Sequence, residues 1–366
     1  MDPAADDVPV STNRTSSVTA PRRGRRRLRA VVLTGLVLGA TVACGPDSTT
    51  GPAAAPETTT APPPPPVVWP LTGVDAAGAD VDRPVLAVKV ENSMDARPQT
   101  GLNAADVVWE QVVEGGISRY VAVYHSTLPA TVGPVRSVRP MDPSIAAPLH
   151  GLLAFSGGQE PFVEATRAAG LQVVDPGTGT GFSRVSGRVA PHNTYADPAA
   201  LLAQADAGHR AAPPEQFAVA GPDEQPTAFV GGTPAAVLDL ALSRISTPRW
   251  TWSQADGAWL RAEGATPAVE ADGTPLRATN VVVLRVDVVD TKYRDSARNP
   301  VPETVMVGGG EALVAAGGRT VPVTWSKASA ADPVVLTGAD GRPVLLAPGS
   351  TWVELVPRAT GSVAVG

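Results

Sequence analysis

The chain has 366 residues, of which 43% are hydrophobic, 17% charged and 4% aromatic, with a net charge of −6. That apolar content suffices for one or two real cores and excludes wholesale disorder. No apolar run reaches the roughly 20 residues of a membrane-spanning helix, which excludes a multi-span channel or transporter. A single cysteine excludes a disulfide scaffold and a thiolate metal cage, and the four histidines give no positive sign of a metal site.

The N-terminus reads as an address. Residues 22–29 (RRGRRRLR) are densely basic, and the apolar stretch 30–43 (AVVLTGLVLGATVA) leads into Cys44. A basic segment, a short apolar segment and a small residue before a cut describe a secretory signal over residues 1–43. As a helix those 14 residues rise about 21 Å, short of a hydrocarbon core near 30 Å, so an uncleaved anchor fits poorly. Val42-Ala43-Cys44 resembles a bacterial lipoprotein box, with Thr41 standing where leucine is usual. The resemblance implies lipidation of Cys44 by fatty acyl chains, palmitate among them, and anchoring to the outer face of the cell membrane. Without residues 1–43 the chain keeps 22 basic against 32 acidic residues, net −10, and no basic stripe, so nucleic acid is not an expected partner.

Residues 44–68 carry the lipidated cysteine and a disordered spacer. Eight prolines, including the run Pro62 to Pro66, give a stalk of up to roughly 70 Å if extended. Folded sequence then begins near Trp69, and the predicted fold is α+β. A mixed α/β N-terminal domain (69–212) precedes a smaller, mostly β C-terminal domain (228–357), the two separated by a proline-rich boundary.

In the first domain, residues 83–90 (RPVLAVKV) read as a buried strand, with further strands at 149–155 and 171–175. A helix over 160–169 lies between the latter two, and a short helix over 197–207 is capped by Asp197 with Pro198 at its first position. Residues 106–124 (DVVWEQVVEGGISRYVAVY) admit two readings: a helix ended by Gly115-Gly116, or two strands joined by a two-residue Gly-Gly turn. The β-branched density favours the hairpin. In the second domain strands are expected at 235–242, 249–252, 258–261, 281–289, 334–337 and 343–346, with Asp-Gly turns at 256, 272 and 340.

Three constellations could carry chemistry. Under the two-residue turn, Glu110 and Glu114 share a strand face with Arg119 diagonal to both; in a helix they would still share a face. Paired carboxylates can divide acid and base work in glycan hydrolysis, bind a ligand, or form a salt-bridge network around the arginine. Arg136 and Arg139 lie three apart in the loop GPVRSVRPMD (133–142), where constrained guanidiniums would fork a carboxylate or phosphate. His192, in PHNTY, is the histidine best placed as an acid or base, with Asn193 beside it as a polar contact. The glycine clusters at 177–181 and 308–310 lack dinucleotide or phosphate-loop spacing. No nucleophile elbow or calcium loop is present either, so no cofactor is expected.

Taken together, RP at 83–84, ARPQTGL (96–102), ADVVWE (105–110), VEGGISR (113–119), GPVRSVRP (133–140) and PHNTY (191–195) resemble the YerB-like bacterial lipoproteins. So do TNVVV (279–283), the Gly308 to Gly310 turn, TWSK (324–327) and PGSTWV (348–353) in the second domain. The resemblance spans roughly residues 70–357. It implies a lipoprotein of two domains and no established reaction. The expected function is therefore an envelope lipoprotein binding an anionic or glycan-like wall ligand through Glu110, Glu114, Arg119, Arg136, Arg139, His192 and Asn193. Alternatives are an envelope glycan hydrolase using the two glutamates, and a scaffold presenting Trp250, Trp252 and Trp259 to another envelope protein; for the first two of these, on one strand face, core packing is the plainer role.

Overall fold

The computed structural model describes residues 66–366; the signal segment, Cys44 and almost all of the spacer lie outside them. The N-terminal region supplies β1 (Leu86–Glu91), β2 (Val107–Val112), β3 (Ser118–Tyr124), β4 (Leu152–Ala154), β5 (Gln172–Val174), β6 (Phe182–Arg184) and β7 (Thr194–Ala196). Its helices are α1 (Asp142–Ala146), α2 (Glu160–Ala168) and α3 (Pro198–Leu202). The expected apolar runs become strands because both of their faces are covered: every residue of β1 and β3 is buried. Helix α2 carries Phe162 and Val163 onto the sheet and makes β4-α2-β5 a parallel crossover. Asp197 caps α3 as its sequence predicts, accepting from the N–H groups of Ala199 and Ala200.

The C-terminal region begins with the short helix α4 (Thr227–Gly231) and is otherwise strands. They are β8 (Thr233–Pro234), β9 (Val237–Ala241), β10 (Pro248–Ser253), β11 (Ala258–Glu263), β12 (Thr266–Pro267), β13 (Arg277–Ala278) and β14 (Asn280–Arg294). After them come β15 (Pro300–Val305), β16 (Gly308–Ala316), β17 (Arg319–Lys327), β18 (Val335–Thr337), β19 (Thr351–Pro357) and β20 (Ser362–Val365). The fold class is the one expected: mixed α/β, then smaller and mostly β.

Both regions build one sheet of 12 strands, ordered β18-β17-β16-β14-β19-β2-β3-β1-β4-β5, with β15 on β14 and β8 on β17. Strand β19 joins the halves, lying parallel to β14 on one side and to β2 on the other. One face of this sheet packs under α1, α2 and Phe217. The other packs against a six-stranded sheet (β12-β11-β10-β9-β20, with β13 on β11) through Leu86, Val88, Tyr120, Trp250, Trp259 and Trp352.

Several expectations are corrected. Residues 106–124 form the hairpin, but its connection spans Val113–Ile117, closed by Val113 N–H to the Ile117 carbonyl at 2.8 Å. Arg119 therefore faces Gln111 instead of Val112. Gly308 to Gly310 is not a turn; it opens β16 opposite Trp325, Ser326 and Lys327. Residues 343–346 form no regular strand: Pro343 and Leu346 make isolated bridges to Thr337 and Val219, and Val344 N–H donates to the Leu336 carbonyl. Trp250 and Trp259 are fully buried, so no surface of three tryptophans is presented to a partner.

Candidate functional site

Alternation along β1, β2 and β3 sorts the polar residues onto two faces of the large sheet. Lys89, Glu91, Gln111 and Arg119 point to the helical face; Glu110, Ser118 and Tyr120 point to the six-stranded sheet. The shift in hairpin register is decisive, because it places Arg119 on the face opposite Glu110. Glu114 leaves the ladder and turns to the arginine side. The paired-carboxylate arrangement is thus not formed, and the hydrolase reading loses its geometry.

The loop 133–142 runs alongside the end of β1, where Val135 bridges Val90 in antiparallel fashion, and is pinned from both ends. Glu91 N–H donates to the Pro134 carbonyl and Arg136 N–H to the Lys89 carbonyl, each at 2.9 Å. At the far end the Asp142 carboxylate accepts from Lys89 Nζ (2.6 Å), Gln111 Nε2 (2.5 Å) and the Arg139 N–H (2.7 Å). Burial pushes the Lys89 amine down to about 8, against the opposing pull of Asp142. This buried ion pair ties the far end of the arginine loop to β1.

Three guanidiniums then converge. Arg136 Nε lies 3.2 Å from Glu91, whose carboxylate also meets His192 Nδ1 at 3.0 Å. Arg139 Nε lies 2.5 Å from Glu114, though not aligned for a hydrogen bond. Arg119 differs from both. It is only 4% exposed, its Nη1 donates to the Ser137 carbonyl at 3.0 Å, and its Nε has no partner. No carboxylate among the described residues forms a salt bridge with it. Burial, and then the neighbouring Arg139 and Arg136 charges, push the Arg119 guanidinium down to about 9 against the opposing pull of the nearby Glu114 and Glu91 carboxylates. Arg119 is thus a buried cation beside two others that forms no salt bridge of its own among the described residues.

These residues line an open cleft of about 510 Å³, shared by Glu114, Arg119, Arg136, Arg139, Gln159 and Asp295. Asp295 comes from the tip of the β14–β15 hairpin of the C-terminal region. That hairpin is held by Gln159 Nε2 to the Arg294 carbonyl (2.9 Å) and by the edge of Tyr293 against Phe162. Of the expected residues, Glu114, Arg119, Arg136 and Arg139 meet here, and His192 reaches them through Glu91. Asn193 does not line the cleft; it accepts from Arg184 Nη1 at 2.8 Å.

The sequence reading missed Lys89, Glu91 and Gln111; Asp142 was legible only as a candidate partner for a loop arginine, and it accepts from the Arg139 N–H and from Lys89. Lys89 was the available signal, a lone charge inside an apolar run, which a strand tolerates only with a buried counter-charge.

On the other face, Glu110 is fully buried and forms an ion pair with Arg261 Nη2 at 2.5 Å. Ser118 Oγ and Asn92 Nδ2 donate to its other oxygen. Arg261 also pairs with Glu263 and sits among the rings of Tyr120, Trp250 and Trp352. Burial and the Glu110 charge raise Glu354 well above the usual carboxyl range, and its Oε1 accepts from Trp250 Nε1 at 2.8 Å. Glu110 and Arg261 are enclosed between the sheets, while Asn92, Tyr120 and Glu263 at the edge of the network line a cavity of about 220 Å³.

Among the described residues no three His, Cys, Asp or Glu side chains gather as metal ligands, and no helix is long and apolar enough to cross a membrane.

Two family models match the chain. The N-terminal domain of a protein of unknown function, DUF3048, matches residues 71–211, and the corresponding C-terminal domain matches residues 238–353, together well over half of the chain. The Bacillus subtilis (strain 168) protein described as "Putative lipoprotein YerB" is 25% identical over 302 residues, spanning 79% of this chain and 86% of its own length. The crystal structure of the YerB protein from Bacillus subtilis superposes with a TM-score of 0.68 at 21% identity. It covers 81% of this chain and 99% of the other, and it shares the fold.

Proposed function

The chain belongs to the DUF3048 family, and from that premise we propose that it is an envelope lipoprotein whose folded body binds an anionic ligand in the arginine cleft. One observation carries the reading: Arg119 is buried among like charges and lacks the carboxylate partner that Arg136 and Arg139 each have. A guanidinium kept only for stability would be paired, because an unpaired buried charge costs several kcal/mol as an order of magnitude. Glu91 and Glu114 aim the two flanking arginines, and the loop pinned by Asp142 fixes all three before any ligand arrives, which lowers the ordering cost of binding. The name of the YerB relative and the segment ending at Cys44 support tethering at the outer face of the cell membrane through a lipidated cysteine. The cleft would then face wall polymers and not cytosolic nucleotides.

Calorimetric titration with sulfate, phosphate and acetate tests the cleft. Wild type is expected to bind at least one of them saturably, and Arg119→Gln to weaken it roughly 10- to 100-fold without lowering the melting temperature. Unchanged affinity in that variant, or a collapsed melting temperature, would assign Arg119 to the structure instead. For the tether, wild type should fractionate with membranes and Cys44→Ser should not. Equal membrane association of the two proteins would remove the lipid anchor from the proposal.

A further inference from the structure

We propose that the anion taken by the cleft is a phosphodiester, seated between Arg119 and the N-terminus of α2; the inference rests on the arginine-cleft reading above and names its ligand class. Three features of the cleft lead there.

The first is charge. Lys89, Arg119, Arg136 and Arg139 face Glu91, Glu114 and Asp142 inside the cleft, one positive charge in excess, and the carboxylate of Asp295 at the rim offsets that excess in the count. Asp295 at the rim is exposed and engaged with Asn299 Nδ2 at 2.9 Å, and His192 shares Glu91 with Arg136. With at most one positive charge in excess, the cleft suits a monoanion, which a phosphodiester is, better than the dianion that a phosphomonoester mostly is near neutral pH.

The second is the stretch of the lining at Gly158 and Gln159. Residues 156–160 (SGGQE) connect β4 to α2, a nine-residue helix with no side-chain cap at Gln159. Gly157 and Gly158 are exposed, and Gly157 has φ of 83°, a conformation that glycine adopts without strain. Among the described residues the N–H groups of Gly157, Gly158, Gln159 and Glu160 donate no hydrogen bond; Pro161 has no N–H, and Phe162 and Val163 donate to the Gln159 carbonyl. Such a terminus attracts an anion. Gly158 and Gln159 line the same cleft as Arg119. The two free oxygens of a diester can accept from donors on both stretches of the lining, as the oxygens of a carboxylate also can, so the diester is distinguished by its two ester substituents.

The third is shape. Gly158 lines the arginine cleft and also an adjoining groove of about 550 Å³ bordered by Phe155, Arg167, Asp175 and Arg184. An anion seated at Gly158 therefore has open space on both sides, as a group esterified at two oxygens requires.

Titration of the isotope-labelled full chain with glycerophosphoglycerol, followed by amide resonances, tests the assignment. Saturable downfield shifts at Gly157, Gly158 and Glu160 are expected, with affinity falling roughly 10- to 100-fold in Arg119→Gln and less in Arg119→Lys, which keeps the charge but loses the fork. A parallel arm uses phosphatidylcholine vesicles with and without phosphatidylglycerol: Arg119-dependent vesicle binding would place the diester in a lipid headgroup, and soluble binding alone would place it in a soluble chain. Methyl glucuronate bound as tightly as the diester would overturn the phosphodiester while leaving the arginine cleft standing. So would diester binding that leaves those amides unmoved. Absence of binding by every oxyanion, or binding indifferent to both Arg119 variants, would overturn the cleft reading as well.

Discussion

At the level of single residues, two buried charges behave oppositely, and the difference separates a binding group from a structural one. Arg261 is enclosed but paired with Glu110 and Glu263, and these carboxylates hold its guanidinium in the charged form. Arg119 is enclosed and unpaired, so the fold tolerates it at a cost. Glu354 presents a third case. Its carboxyl is raised from an ordinary value of 4.5 by burial and by Glu110, and with the acid proton on Oε2 that otherwise unpartnered atom can donate to Glu110. A carboxyl raised on folding contributes stability that is whole below about pH 4.5 and lost as pH climbs toward its folded value. Glu354→Gln keeps an acceptor for Trp250 and a donor for Glu110 without that dependence. The variant is expected to melt about 2 to 4 °C above wild type near pH 8 and about level with it near pH 4. Thermal scans at the two pH values check this; a variant less stable at both would show that Glu354 is ionised and needed as a charge.

Between residue and molecule, at the level of strands and turns, the legibility of the sequence followed local chemistry. Strands β1, β4 and β5, helix α2 and the Asp197 cap were readable because apolar runs and a capping side chain act within a few residues. The two-residue Gly-Gly rule was sound but placed on the wrong pair. It operates at Gly317-Gly318, where φ is 59° and 69° and Ala316 pairs directly with Arg319 to close β16 onto β17. At Gly115-Gly116 the connection is longer, because Glu114 is drawn off the ladder toward Arg139, a partner 25 positions away that no local rule reveals. That one-residue difference carried Arg119 to the other side of the sheet, since side chains alternate faces with every step. The arginines of the loop were legible as a cluster. Their supports Lys89 and Gln111 were not, and Asp142 only in part, because the pairing depends on β1, β2 and α1 meeting in space. Strand β16 was hidden by its three opening glycines, which read as a turn; the third lies against Arg358, where a side chain would collide.

For the molecule as a whole, the consequential element is β19, which arrives from the far end of the chain and separates β2 from β14. Thr351 to Glu354 pair with Val107 to Glu110, while Thr351 to Pro357 pair with Asn280 to Val286. Both cores cross that seam: Val107 and Trp109 pack in one cluster with Val282, Leu284 and Val353, and Tyr120 meets Trp352 in the other. Removing the C-terminal region would leave β2 as an exposed, apolar edge strand and uncover the network around Glu110. It would also remove Asp295 from the rim of the cleft. The two regions are therefore expected to unfold together, with one transition in calorimetry and one in denaturant. Residues 66–226 expressed alone should aggregate or show no cooperative melt. They should bind no anion through Arg119, although every arginine of the cleft lies within them. A fragment that melts cooperatively near the temperature of the full chain, or a full chain with two separated transitions, would mean that the shared sheet adds little and that each region closes its own core.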